Sequence, residues 1–189
     1  MLLKNDCLVQ PVQETLALLE HQNSHATMPT NTDTLARFYT AFTALDADAM
    51  GSCYSLNATF DDPVFSLKGQ HEIAGMWHML CAAASGQGRQ DWQLDFNQLQ
   101  ADASAGRAHW EAHYRFSVSK RLVHNIVEAA FTFTPEGLIA SHRDAFDFWR
   151  WSRQALGLGG WVLGWAPFFQ RQVSQQARAN LDRYLAKNP

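Results

Sequence analysis

The apolar residues of this chain fall into two rhythms. From Thr34 to Leu45, Leu35, Phe38, Phe42 and Leu45 recur at intervals of three and four, which places them on one face of a helix. Asp33 just before it is the expected N-cap. A short helix over Ala47–Cys53 and a third over Gln70–Ala84, with Ile73, Met76, Trp77 and Leu80 apolar, continue that rhythm. The period then changes to two. Trp92, Leu94 and Phe96 alternate with Asp91, Gln93, Asp95 and Asn97, and Trp110, Ala112, Tyr114 and Phe116 alternate with His109, Glu111, His113 and Arg115. Leu122 to Thr134 places Asn125, Val127, Ala129, Phe131 and Phe133 on an inner face, and the turn Pro135–Gly137 leads to a last strand over Leu138–Phe146. Helices followed by a run of strands predict an α+β fold with helices covering one face of a curved antiparallel sheet.

Three segments follow. Residues 1–32 read as an appendage: Val12, Leu16 and Leu19 have helical spacing after Pro11, and His21–Thr32 reads as a polar linker. Residues 33–157 form the domain, and residues 158–189 a helical extension. In the tail, a helix over Ala145–Leu156 is expected to stop at Gly157, Gly159 and Gly160, and another to run from Pro167 through Tyr184. Trp161, Trp165, Phe168 and Phe169 are expected to pack on the domain, with a cover over a pocket mouth as the functional alternative.

The stretch Thr59–Gly69, TFDDPVFSLKG, carries the most chemistry. Read as a strand, it sets Asp62 on the same face as Phe60 and Val64. An ionised carboxylate in apolar company is costly unless it is paired, sits at a rim, or is used. Pro63 cannot donate to a ladder, so the strand should be short, bulged or at an edge.

From Leu35 to Gly69 the sequence LARFYTAFTALDADAM...ATFDDPVFSLKG resembles the start of a ketosteroid isomerase, in the superfamily named for nuclear transport factor 2 that includes the SnoaL-like polyketide cyclases. The resemblance implies a cone-shaped barrel opening onto an apolar pocket, and it puts Asp62 on the family's proton-shuttling Asp. Further on, SHRDAFDFWRWSRQALG resembles the tail of the SnoaL-like cyclases, in which the residue matching Asp144 is the base and a Gln-x-x-Gly ending follows, here Gln154 to Gly157. The isomerase's two oxyanion donors are missing, because their positions fall on Phe38 and Ala129. Tyr39 is adjacent, but one step along a helix turns a side chain by roughly 100°.

An Asp serves as a base near neutrality only if burial or a like charge lifts its pKa. Asp62 and Asp144 at one mouth would supply both, with His142 sharing strand parity with Asp144 as an auxiliary. Phe60, Tyr39, Trp77, Trp92, Trp110, Tyr114 and Asn125 are the expected pocket walls. Asp147 is read as a helix cap or salt-bridge partner. His109, Glu111 and His113 form H-x-E-x-H, a spacing that can bind metal. Because Trp110, Ala112 and Tyr114 claim the core side, this row with Arg115, His124 and Glu128 is instead assigned to the convex face; the resemblance to a superfamily whose members often dimerise through that face implies a homodimer contact there.

Composition narrows the picture. Eighteen acidic against 15 basic residues, a net charge of −3, give no basic surface for nucleic acid. Cys7, Cys53 and Cys81 lack CxxC spacing, so neither a disulfide framework nor a zinc site is expected, and a reducing cytoplasm fits. The first residues show no secretory pattern, no stretch is long enough to span a bilayer, and no membrane partner is expected. The reading is a cofactor-free enzyme acting on a small apolar molecule by isomerisation, cyclisation or hydrolysis. A non-catalytic binding or assembly module on the same fold is the alternative.

Overall fold

The structure is a computed structural model and describes residues 30–86 and 89–188; the helix and linker expected before Thr30 lie outside those residues. Helix α1 (Asn31–Ala44) starts earlier than its apolar stripe indicates. Thr30 is the N-cap, and Asp33 is its reciprocal partner three residues on, accepting from the Thr30 N–H while the Thr30 hydroxyl accepts from the Asp33 N–H. This capping box corrects the assignment of Asp33 as the cap. Leu35, Phe38 and Phe42 are buried as their spacing requires. Leu45 ends the helix in the left-handed conformation, and α2 (Ala47–Gly51) follows.

Strands β1 (Tyr54–Asp61), β2 (Ser66–Lys68), β3 (Gln93–Ala101), β4 (Ala105–Arg115), β5 (Leu122–Phe133) and β6 (Ile139–Ala145) form one sheet in the order β2-β1-β6-β5-β4-β3. All neighbours are antiparallel except β1 and β6, which run parallel, so the expectation of an all-antiparallel sheet is corrected there. The reason is connectivity. Helix α3 (Gln70–Gly86) and the β3–β4–β5 meander together form a connection long enough to bring β6 back beside β1 in the same direction. Register shifts in β1–β6, β3–β4 and β5–β6 bend the strands, and Gln98 with φ 53° lies at the β3 shift. The sheet is curved but not closed, with β2 and β3 at its edges.

The inner face carries Phe60, Leu94, Trp110, Ala112, Val127 and Phe131 against Phe38, Tyr39 and Phe42 of α1 and Met76 and Trp77 of α3. A smaller cluster of Val123, Phe148, Trp151 and Ala155 joins the β5 end of the sheet to α4 (Phe148–Leu156), which Asp147 caps through the Arg150 N–H.

Two helices follow rather than one. Gly157, with φ 63°, ends α4, and α5 (Leu158–Leu163) forms where only a turn was expected. Gly160 and Gly164 explain it: a Cβ on either would lie 1.9 Å from an oxygen of Ser152 in α4. These glycines are contact surface as much as helix breakers. Helix α6 (Pro167–Lys187) then lies along α3, with Leu181 fully buried and Leu185 filling the space above Gly75. Arg178 grips both oxygens of Glu72 at 3.0 and 2.6 Å.

Candidate active site

The concave face of the sheet, α3, α4 and α6 enclose a cavity of about 770 Å³. Its walls are mostly apolar, the usual character of a small-molecule site. Among the expected residues Phe60, Trp77, Trp92, Trp110, Tyr114 and Asn125 line it, and so do both Asp62 and Asp144. Phe169 of α6, one of the four tail aromatics expected on the domain or over the pocket mouth, is part of the wall, and Trp151 of α4 and Val173 of α6, which were not expected there, complete it. Their positions depend on how the tail folds back, which no periodicity encodes.

Asp62 is held by its own loop. Strand β1 ends at Asp61, and Asp62-Pro63-Val64-Phe65 turns the chain into β2. The Asp62 N–H donates to the Phe65 carbonyl at 2.9 Å, while its Oδ1 accepts from the N–H groups of Val64 at 2.6 Å and Phe65 at 2.5 Å. Pro63 has no N–H to leave unpaired there. Asp62 therefore reaches the cavity from a turn rather than from the strand face, as the alternation had implied. Helix α6 clasps this turn, with Gln170 donating to the Pro63 carbonyl at 2.9 Å and Ser174 to the Val64 carbonyl at 2.5 Å. Burial pushes the Asp62 carboxyl up to about 7; the two N–H bonds oppose the shift, and the charges of Asp144 and Asp61 add to it.

Asp144 stands on β6, 5% exposed. Its Oδ1 faces His142 Nε2 at 2.9 Å and accepts from Trp110 Nε1 at 3.4 Å. His142 Nδ1 lies 2.6 Å from the Tyr54 hydroxyl, which accepts from Trp77 Nε1 at 3.2 Å. With the Trp77 donor directed at its oxygen, Tyr54 satisfies its own hydrogen by donating to Nδ1. With Nδ1 accepting from Tyr54, His142 donates from Nε2 to Asp144. The parity argument expected His142 in the pocket, but it stands one layer behind, among Phe38, Phe60 and Phe131, 1% exposed. It holds Asp144 from behind and does not line the cavity.

Tyr39 also misses the cavity. It is fully buried, stacked on Phe96 with centroids 5.3 Å apart, and its hydroxyl has no partner among the described residues. Phe38 is core, and Ala129 pairs with Asp144 across β5 and β6. The cavity has other polar groups. The Tyr114 hydroxyl accepts from Trp151 Nε1 at 2.9 Å, which leaves its hydrogen to donate elsewhere, and burial raises it to about 12 so that it stays protonated. Asn125 adds an amide to the same wall.

On the opposite face His109 lies 2.6 Å from Glu128 and 3.2 Å from Glu111, and Glu111 also reaches His124 at 2.5 Å. His113 stacks on His124. Among the described residues no three His, Cys, Asp or Glu side chains are arranged to hold a metal ion. Arg115 leaves this row, pairing with Asp91 at 2.8 Å at the cavity rim.

No curated protein sequence matches the chain. Among solved structures it resembles SalBIII, an epoxide hydrolase/cyclase-like enzyme in pyran ring formation in the polyether salinomycin. That match has TM-score 0.53 and 21% identity, over 61% of this chain and 89% of that one. An LEH-like epoxide hydrolase of M. tuberculosis matches with TM-score 0.52 and 17% identity, over 70% and 95% of the two chains. A putative polyketide cyclase from Silicibacter sp. TM1040 matches with TM-score 0.51 and 18% identity, over 67% and 96%. At such identities these likenesses establish the fold. The profile of the SnoaL-like domain matches residues 35–142, more than half of the sequence and the span from α1 to His142. The chain belongs to the SnoaL-like domain family.

Proposed function

We propose that the chain is an enzyme that performs acid/base chemistry on a small apolar molecule, by cyclisation, hydrolysis or isomerisation. The observation that carries this reading is the pairing of Asp62, with its carboxyl raised to about 7, with Asp144 on one apolar cavity. A group that is half protonated near neutrality can give or take a proton without a large penalty in either direction. Asp144 takes the proton of an attacking hydroxyl, from water or from the substrate itself, and the protonated Asp62 gives one to the oxygen that leaves. The substrate loses one proton and gains one, and the proton left on Asp144 is given up while Asp62 takes one back, through solvent water, which restores both carboxyls for the next turnover. Tyr114 donates its free hydrogen to the oxygen on which charge develops, the role for which Phe38 and Ala129 offer nothing. The named activities of the structural neighbours, epoxide hydrolysis and ring formation, fit this division of labour.

The test is a panel of apolar epoxides, lactones and hydroxyketones, screened first by thermal shift and then for turnover. Asp62→Asn and Asp144→Asn should each lower kcat by about 10²–10⁴-fold while binding is kept. A wild-type chain that binds members of the panel tightly and turns none over would replace this reading with that of a binding module.

A further inference from the structure

Helix α5 is amphipathic in the reverse of the usual sense. Gly160 within it and Gly164 just after it approach Ser152 of α4 closely, while its large apolar side chains are turned outward. Leu158 is 86% exposed, Trp161 61%, Trp165 70%, and Phe168 at the start of α6 55%. The β4–β5 hairpin extends the patch. Ser119 donates to the Ala155 carbonyl and Arg121 to the Gln154 carbonyl, which brings exposed Val118 and Leu122 to the same end of the molecule. These residues were expected to pack on the domain; of the four tail aromatics only Phe169 reaches the cavity, and the other three face solvent. Large apolar side chains exposed together at one end of a molecule mark an interaction surface.

The charge around it selects the partner. The whole sequence is acidic, yet no Asp or Glu occurs from Phe148 to Leu181 or from Ala112 to Val127, while those stretches hold Arg121, Arg150, Arg153 and Arg171. Arg153 lies over the Trp149 ring, 4.3 Å from its centroid. A second copy docking through the same patch would set these arginines against their own equivalents. Exposed Trp beside Arg, on a short helix with its apolar face outward, is the chemistry of an anionic membrane interface.

We infer that α5, the start of α6 and the β4–β5 hairpin tip form a docking face for an anionic lipid bilayer, on which α5 lies in the interface plane. Among the described residues no helix is long and apolar enough to cross a membrane, and span length was the ground for expecting no membrane partner. That criterion concerns crossing and is silent on lying at the surface. The face borders the cavity, since Val118, Leu156 and Phe169 belong to its lining, so docking sets the cavity beside the source of an apolar ligand.

The test uses the full chain and sedimentation with vesicles of phosphatidylcholine, with and without phosphatidylglycerol. The chain should sediment with the anionic vesicles, less as salt is raised, with a blue shift of its Trp emission. Trp161→Ser with Trp165→Ser should abolish binding, and Arg121→Gln and Arg171→Gln should each weaken it by about fivefold. All four sites are exposed, so circular dichroism should show every variant folded. Failure of the wild type to sediment with anionic vesicles, or equal sedimentation of the Trp double variant, overturns the inference. A dimer in light scattering that the Trp double variant dissolves also overturns it, in favour of a second copy. Neither result touches the reading of the cavity, which is tested by ligands in solution.

Discussion

Asp62 is costly to keep where it is, and its cost has a sign that can be measured. Its carboxyl is raised from 3.8 to about 7 in the folded chain, chiefly by burial. Between those values the folded state holds a proton that the unfolded state has released. Stability therefore falls as pH rises from about 4 to about 7, and no further above that range. Urea midpoints across this range should decline in the wild type and flatten in Asp62→Asn. Carboxyl NMR should find the Asp62 midpoint near neutrality, and lower in Asp144→Asn because a neighbouring negative charge is removed. A wild-type midpoint near the ordinary Asp value would remove Asp62 as the acid/base group. Tyr39 makes the contrasting case, a buried hydroxyl with no partner among the described residues. Tyr39→Phe deletes only that unsatisfied oxygen and should raise stability by about 1 kcal/mol. A loss on thermal unfolding would mean that the hydroxyl has a bound partner, such as an ordered water.

Among the elements, α5 depends most on single atoms. Gly160 and Gly164 allow close approach at Ser152, whose hydroxyl lies within hydrogen-bond reach of the Trp149 carbonyl at 3.0 Å and the Gly160 carbonyl at 3.2 Å. Gly160→Ala places a methyl 1.9 Å from a backbone oxygen that cannot move without bending α4. We expect a destabilisation of about 1–3 kcal/mol by denaturant unfolding. Gly159→Ala, where an added Cβ meets nothing within 4 Å, is the control and should be near neutral. Equal effects would show that helix propensity rather than close approach governs this element. Helix α6 serves the site in another way: Gln170 and Ser174 hold the carbonyls of the turn that carries Asp62.

At the scale of the whole molecule, the cavity and the convex face lie on opposite sides of one sheet. The convex row is already knit together by His109, Glu111, His124 and Glu128, so little side-chain entropy remains to be lost on pairing. We propose that two copies meet on this face. Light scattering should report a dimer, and Glu128→Lys, which sets a positive group beside His109, should dissolve it. A monomer at high micromolar concentration would dispose of this assembly. Such a dimer should survive the Trp161→Ser, Trp165→Ser double variant, which separates it from any association through α5.

Local pattern determined much of this protein. The helix stripe Leu35, Phe38, Phe42, the alternation in β4 and β5, the cap at Asp147 and the start of α6 at Pro167 follow from spacing and from backbone chemistry that act within a few residues. The resemblance around Asp62 and Asp144 carried the family and picked out the two carboxylates that line one cavity. Tertiary structure decided what depends on distant segments meeting. Strand parity gives a side chain's face but not its depth, so His142 belonged to the pocket by alternation and to the layer behind it once Tyr54 and Trp77 were in place. Glycines read as helix stops became a contact surface because Ser152 packs against them, while Trp161 and Trp165 face outward. The parallel pairing of β1 with β6, and the wall that α4 and α6 add to the cavity, likewise depend on chain segments far apart in sequence, which hydrophobic periodicity does not record.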